Sequence, residues 1–248
     1  MATDSATRPH QERADQTRAR ILEAAIRAFS ENGLAGARTE QIAEAAGVNK
    51  ALIYYYFRGK SSLYEAAIEF VARSVVSSGL AALNLECSAG ERLVQFILNH
   101  FDRIHSQHTF QGLMHQEMIR LHRGEENALS AIVDKVFRPM TERVGQLIVE
   151  GQKTEELIEA DPWQLINAAL GANIFYFLSS PVVSLLTGRE LFSIQELELR
   201  RKAAVEYLGQ TIFRDRAHGA EVAARVIAAT PMPPSGNFKH WQMKTVLR

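Results

Sequence analysis

Cysteine is almost missing from this chain: Cys87 alone occurs in 248 residues. An internal disulfide framework and a cysteine-ligated zinc finger are thereby excluded. An excess of charge is missing too, since 28 Lys and Arg face 28 Asp and Glu. Nucleic-acid binding would then need a local basic patch, because bulk charge supplies no attraction. No apolar run approaches the roughly 18 residues needed to cross a bilayer. The opening MATDSATRPHQERADQ lacks the apolar stretch of a secretory signal. The expectation is a cytoplasmic protein with no membrane partner. Nucleophile elbow, P-loop, dinucleotide glycine fingerprint and HExxH are all absent. No enzyme and no cofactor are expected. Glu125-Glu126 and Glu155-Glu156 are sequence neighbours, so they diverge on a helix and read as solvated faces.

What is present is helical periodicity. Hydrophobic residues make up 46% of the chain, and they recur at three- and four-residue intervals with no alternation of period two. The fold class expected is all-α. Residues 1–14 read as a polar, flexible arm, and 229–248, rich in proline, as an irregular tail. Helices are expected over Asp15–Asn32, Thr39–Ala46, Lys50–Tyr56 and Lys60–Val76. Longer ones follow over Gly90–Ile104, Phe110–Leu121, Glu125–Glu150 with a kink at Pro139, Asp161–Leu178, Ser193–Phe213 and Ala217–Ala229. Short helices give way to long ones near residue 60. That point divides a small domain, 15–60, from a larger one, 61–228.

The informative stretch is RTEQIAEAAGVNKALIYYYFRGK, residues 38–60. Ala43 is small enough for two helices to cross closely, and Gly47 tolerates the positive φ of a tight turn. Ile42, Ala46, Ile53 and Phe57 form an inward face. Lys50, Ala51, Tyr54 and Tyr55 then point away from Ile53 and Phe57, with Tyr56 at the edge. A phenol donates to phosphate, and its ring packs on sugar or a thymine methyl. Lys50, Arg58 and Lys60 are basic, and no acidic residue lies within 48–60. The plain alternative is a structural three-helix unit whose tyrosines meet protein.

Residues 21–67 resemble the DNA-binding domain of the TetR/AcrR family of transcriptional regulators. The resemblance rests on Ala25–Phe29 (A-x-x-x-F), Asn32-Gly33, Ile42–Val48 (I-A-x-x-A-G-V), Lys50, Ile53–Phe57, Lys60 and Leu63. Asn49 stands where Ser or Thr is usual, and Ala51 where Gly is usual. The resemblance implies a helix-turn-helix domain followed by a helical ligand-binding and dimerisation domain. It implies that Thr39 caps its helix and touches phosphate. Lys50, Ala51 and Tyr55 would lie against base edges or nearby backbone, while Tyr54, Tyr56 and Lys60 hold phosphates. It also implies a homodimer through 161–178 and 193–213, with reading helices about 34 Å apart on double-stranded DNA bearing an inverted repeat.

For a small-molecule effector the sequence offers aromatic and polar stripes more typical of core. The candidates are Phe96, His100, Glu117, Met118, Trp163, Asn167 and Tyr176. No metal is expected: His108, His115 and His122 are seven apart, too far for one ion. Cys87 reads as a small apolar filler. The expected function is a repressor released by a small molecule. The alternative is a DNA-binding regulator with no effector, constitutive or controlled by a protein partner.

Overall fold

The structure is a computed structural model that describes residues 7–106 and 108–234. Those residues form eleven α-helices: α1 Thr7–Gly36, α2 Thr39–Ala45, α3 Lys50–Phe57, α4 Lys60–Leu83, α5 Ala89–Ser106 and α6 His108–His122, then α7 Leu129–Ile132, α8 Arg138–Lys153, α9 Pro162–Thr187, α10 Ile194–Thr211 and α11 Arg216–Ala229. No strand occurs among them, only an isolated antiparallel bridge between Leu157 and Phe213. Two compact units result. One holds residues up to Arg73 with Thr109–Ile132, and the other holds Ser74–His108 with Val133 onward. The boundary expected at residue 60 falls inside the first unit, which also recruits α6 from far along the chain.

In the first unit, Ile21, Ala25 and Phe29 of α1 are buried at helical spacing. They meet Ile42 and Ala43 of α2, Ile53 and Phe57 of α3, and Leu63, Tyr64 and Ala67 of α4 as the unit's core. The helix over 15–32 is longer than expected at both ends, and residues 7–14, expected as a flexible arm, are helical. Pro9 is tolerated because it falls in the first turn, where an N–H has no helical partner. Those turns are polar, so they carry no apolar stripe to read. Gly33 does break the helix, at φ 66° and ψ 179°, but one more turn follows it to Gly36. A buried network ties α4 to α6. The Glu117 carboxylate accepts from the Tyr64 hydroxyl (2.9 Å), Arg120 (2.9 Å) and the Ala128 backbone N–H (2.6 Å).

The second unit is organised on α5, which packs against α8, α9, α10 and α11. Leu93, Val94, Ile97, Leu98, Ile148 and Leu208 are among its buried residues. Asp102 of α5 and Arg201 of α10 form a buried bidentate pair at 2.6 and 2.8 Å, and Arg201 also donates to the Thr230 carbonyl. Helix α4 runs past the expected Val76 because Gly79 is a packing position. A Cβ there would stand 2.8 Å from the Phe96 ring. The single helix expected over 125–150 is instead α7, a π-turn at Val133–Phe137, and α8. Pro139 cannot donate to the carbonyl of Lys135, and the helix widens just before it. Helix α9 passes through Pro181 to Thr187, not stopping at Leu178. The Ser180 hydroxyl bonds back to the Tyr176 carbonyl beside the bond that Pro181 removes. Ala229, expected to open the irregular tail, ends α11, and the 235–248 portion of that tail lies outside the described residues.

One exclusion made from the sequence is corrected here. Helices α4 and α9 are long and apolar enough, by length and composition, to cross a membrane. A search for unbroken apolar runs misses them because polar residues, singly and in pairs, interrupt both. In α9 those include Asn173 and Ser180, both fully buried within the chain.

Candidate nucleic-acid interface

The turn between α2 and α3 is built as the residues require. Gly47 takes φ 63°, and its neighbour Val48 donates to the Ala43 carbonyl at 3.0 Å. The Asn49 side chain accepts from the Ala51 N–H at 2.8 Å and caps α3, so asparagine does the work of serine here. At the other end Arg58, at φ 60°, closes α3 with a bond to the Tyr54 carbonyl. Ile53 and Phe57 are buried beneath α3, and the Arg18 guanidinium from α1 sits 5.0 Å over the Phe57 ring.

The opposite face of α3 is open. Tyr54 is 50% exposed and Tyr55 77% exposed, with Lys50 and Ala51 exposed beside them. Tyr56 is half-buried and meets Tyr55 edge to face at 5.0 Å. Two phenols, an ammonium and a small side chain therefore share one outward surface, while the apolar side of the same helix is anchored.

Two expected roles change. Thr39 does not cap α2. Arg38 occupies the cap position, and Thr39 is the first helical residue, 8% exposed, with its hydroxyl on Glu40. Lys60 donates to the Ala35 carbonyl at 3.1 Å and so pins the end of α1 to the start of α4. An ammonium has three donors, which leaves it capacity for an anion.

Folding also adds residues that the linear motif hides. Glu40 of α2 is ion-paired with Lys50. That hydrogen bond raises the Lys50 ammonium above its ordinary range and lowers the Glu40 carboxyl. The stretch 48–60 holds no acid, but ten residues earlier α2 supplies one. Arg18 at Phe57 and Arg20 beside the Gly47 turn bring two guanidinium groups from α1. No signal within residues 38–60 points to either, because both depend on how α1 crosses α2 and α3.

The effector candidates do not form one set. Glu117 and Met118 belong to the first unit and the other five to the second. Glu117 is fully buried and already holds three donors, so it offers no spare anchor. Phe96 is core, packed on Gly79. Met118, Trp163 and Asn167 are exposed. His100 and Tyr176 are half-buried. The Tyr176 hydroxyl donates to the Leu191 carbonyl at 2.7 Å, and burial lifts its pKa to about 12. Among the described residues no group of three or more His, Cys, Asp or Glu is placed to hold a metal ion.

Residues 21–67 match the family described as bacterial regulatory proteins, tetR family, and 89–208 match a tetracyclin repressor-like C-terminal domain. The Pseudomonas putida protein named HTH-type transcriptional repressor NicS is 33% identical over 142 residues, which are 53% of this chain and 64% of that one. The Bacillus subtilis protein named Probable HTH-type transcriptional regulator YttP is 32% identical over 148 residues, covering 57% of this chain and 68% of that one. In fold, the chain is similar to a transcriptional regulator from Saccharomonospora viridis solved in complex with choline. There the TM-score is 0.62 at 19% identity, over 81% of this chain and 100% of the other. With the open face of α3 set on a helix-turn-helix and both parts of the chain matched, the chain belongs to the TetR family of bacterial regulatory proteins.

Proposed function

We propose that this chain is a repressor that binds an inverted-repeat operator as a homodimer and leaves it when a small molecule binds the second unit. The observation that carries the reading is the two-sided α3, with Ile53 and Phe57 buried and Tyr54 and Tyr55 open. Lys50, Ala51 and Tyr55 are assigned to base edges and nearby backbone. Tyr54, Tyr56 and Lys60 are assigned to phosphates, with Arg18, Arg20 and Arg58 adding positive charge. Thr39 is left with a structural part.

A second copy is supported by α9. Ala168, Gly171, Phe175, Leu178, Val182 and Leu185 follow one another at alternating three- and four-residue steps along it, the spacing of a helix-packing seam. Phe175 is 67% exposed and Leu185 73%. On α10, Leu199 and Tyr207 are exposed two turns apart. Such an apolar surface on α9 and α10 fits the same pair of helices from a partner. A small-molecule site is supported by kinship of fold, since one structural neighbour holds choline.

Nuclease protection of the DNA flanking the chain's own gene is the test. The expected outcome is one protected inverted repeat whose half-site centres lie about one helical turn, or a multiple of it, apart. Tyr55→Ala abolishes protection while leaving the helical circular dichroism spectrum unchanged. Protection that survives Tyr55→Ala, or none at any flanking sequence, overturns the assignment of α3.

A further inference from the structure

In the second unit, hydrogen-bonding capacity is left over at one turn of α9. Asn173 is fully buried. Its side-chain N–H donates to the Ile97 carbonyl at 3.2 Å and lies 3.5 Å from His100 Nδ1. Its Oδ1 has no partner among the described residues. Nearby, Arg200 reaches from α10 to the Ala172 carbonyl at 3.1 Å and lies 5.3 Å over the Tyr176 ring. Its Nε is buried and likewise without a partner, and no carboxylate among the described residues forms an ion pair with it. Folded proteins pair the great majority of buried polar groups, so two orphans beside one helical turn ask for a third party.

The chemistry of that party follows from the groups. Arg200 asks for an acceptor and, being a cation, favours an anion. Asn173 Oδ1 asks for a donor. His100 is uncharged, because burial pushes its pKa down to about 4. An Nδ1 that accepts from the Asn173 amide leaves the ring proton on Nε2, a second donor. Asn173 is fully buried, and His100, Tyr176 and Arg200 around it are half-buried. Phe101, tilted, and Phe177, edge to face, lie beside Tyr176 at 6.3 and 5.4 Å between ring centres, so the flank is aromatic.

We infer that Asn173, His100, Tyr176 and Arg200 seat a small carboxylate that carries a hydroxyl on an aromatic body. The carboxylate takes the Arg200 guanidinium, and the hydroxyl donates to Asn173 Oδ1. This seat rests on the reading of the chain as effector-responsive and names the effector's class. A cationic ligand is disfavoured by Arg200, and the carboxylate that acts on Tyr176, Glu196, is already paired with Arg189.

Calorimetric titration of the full-length protein with 4-hydroxybenzoate, benzoate and 4-hydroxybenzyl alcohol tests it. The hydroxy acid binds most tightly, and either truncated probe binds more than about tenfold more weakly, the worth of one charge-assisted or buried hydrogen bond. Arg200→Gln weakens both acids and leaves the alcohol as it was. Asn173→Leu makes 4-hydroxybenzoate and benzoate equal. Should that variant fail to fold, Asn173→Asp keeps the shape and rejects both acids by charge. Equal binding of all three probes, no binding of any, or variants that bind like the parent overturn the seat. Operator protection in the same samples separates the two claims. Release from the operator by other compounds with Arg200→Gln unaffected removes the seat and keeps the effector reading. Acid binding with no operator response removes the effector reading and keeps the seat.

Discussion

Single side chains in this protein sit where burial or pairing changes how they titrate or bind. His100 is the clearest, held neutral by burial. Its folded-state pKa of about 4 lies below the ordinary 6.5, so the unfolded chain takes up the proton first as pH falls. Stability is therefore full above about 6.5 and declines toward pH 4, by up to roughly 1.4 kcal/mol per pH unit. Denaturant melts at pH 7 and pH 5 should show that decline, and His100→Gln should reduce it. An unchanged pH dependence in the variant would place the loss at other groups. At the proposed DNA face the exchange concerns Lys50, which Glu40 already engages. On the proposed reading a phosphate competes with that carboxylate for the Lys50 ammonium. Glu40→Gln is expected to tighten binding to all DNA severalfold and to steepen the fall of affinity with salt. Affinity no different from the parent would show that Lys50 does not meet the backbone.

Elements in this chain are closed by close approach as much as by apolar area. Helices α10 and α11 nearly touch where Gly209 faces Gly219. A Cβ on Gly219 would stand 2.0 Å from the Gly209 carbonyl oxygen and 2.8 Å from the Phe213 ring. Gly219→Ala must push the helices apart, at about 3 kcal/mol. A fall of roughly 6–12 °C in Tm should follow, measured by thermal circular dichroism. A shift below the scatter of replicate melts would mean that the helix pair yields freely. This contact shows why part of the fold could be read and part could not. Helices whose apolar face repeats, such as α2, α3 and α10, are legible because burial selects that repeat. The polar first turns of α1, the run of α4 past Gly79 and the passage of α9 through Pro181 are decided by partners elsewhere in the chain. The same holds at the site. Tyr54 and Tyr55 are legible from the phase of α3 against Ile53 and Phe57. Glu40, Arg18 and Arg20 come to α3 only through helix crossing. Glu117 looked like a ligand anchor because a carboxylate on an apolar stripe asks for a partner. The partners proved to be Tyr64, Arg120 and the Ala128 N–H.

For the whole molecule, a formal net charge of zero sets a requirement on how DNA is held. Without long-range attraction from the chain as a whole, one reading head gains only from its local basic edge. Two heads linked in one dimer convert the second contact into an intramolecular one, which raises affinity by about 100- to 10,000-fold without any new interaction. In the proposed dimer the apolar seam on α9 is thus tied to operator binding even though no residue of α9 is assigned to DNA. Phe175→Asp places a charge at the most exposed aromatic of that seam. The variant is expected to sediment as a monomer at micromolar concentration, with its helix content intact. Operator affinity should drop by about a hundredfold or more, while binding to a single half-site stays as it was. A dimer that persists with Phe175→Asp would move the interface off α9. A monomer that holds the full operator as tightly as the parent would break the link between assembly and recognition.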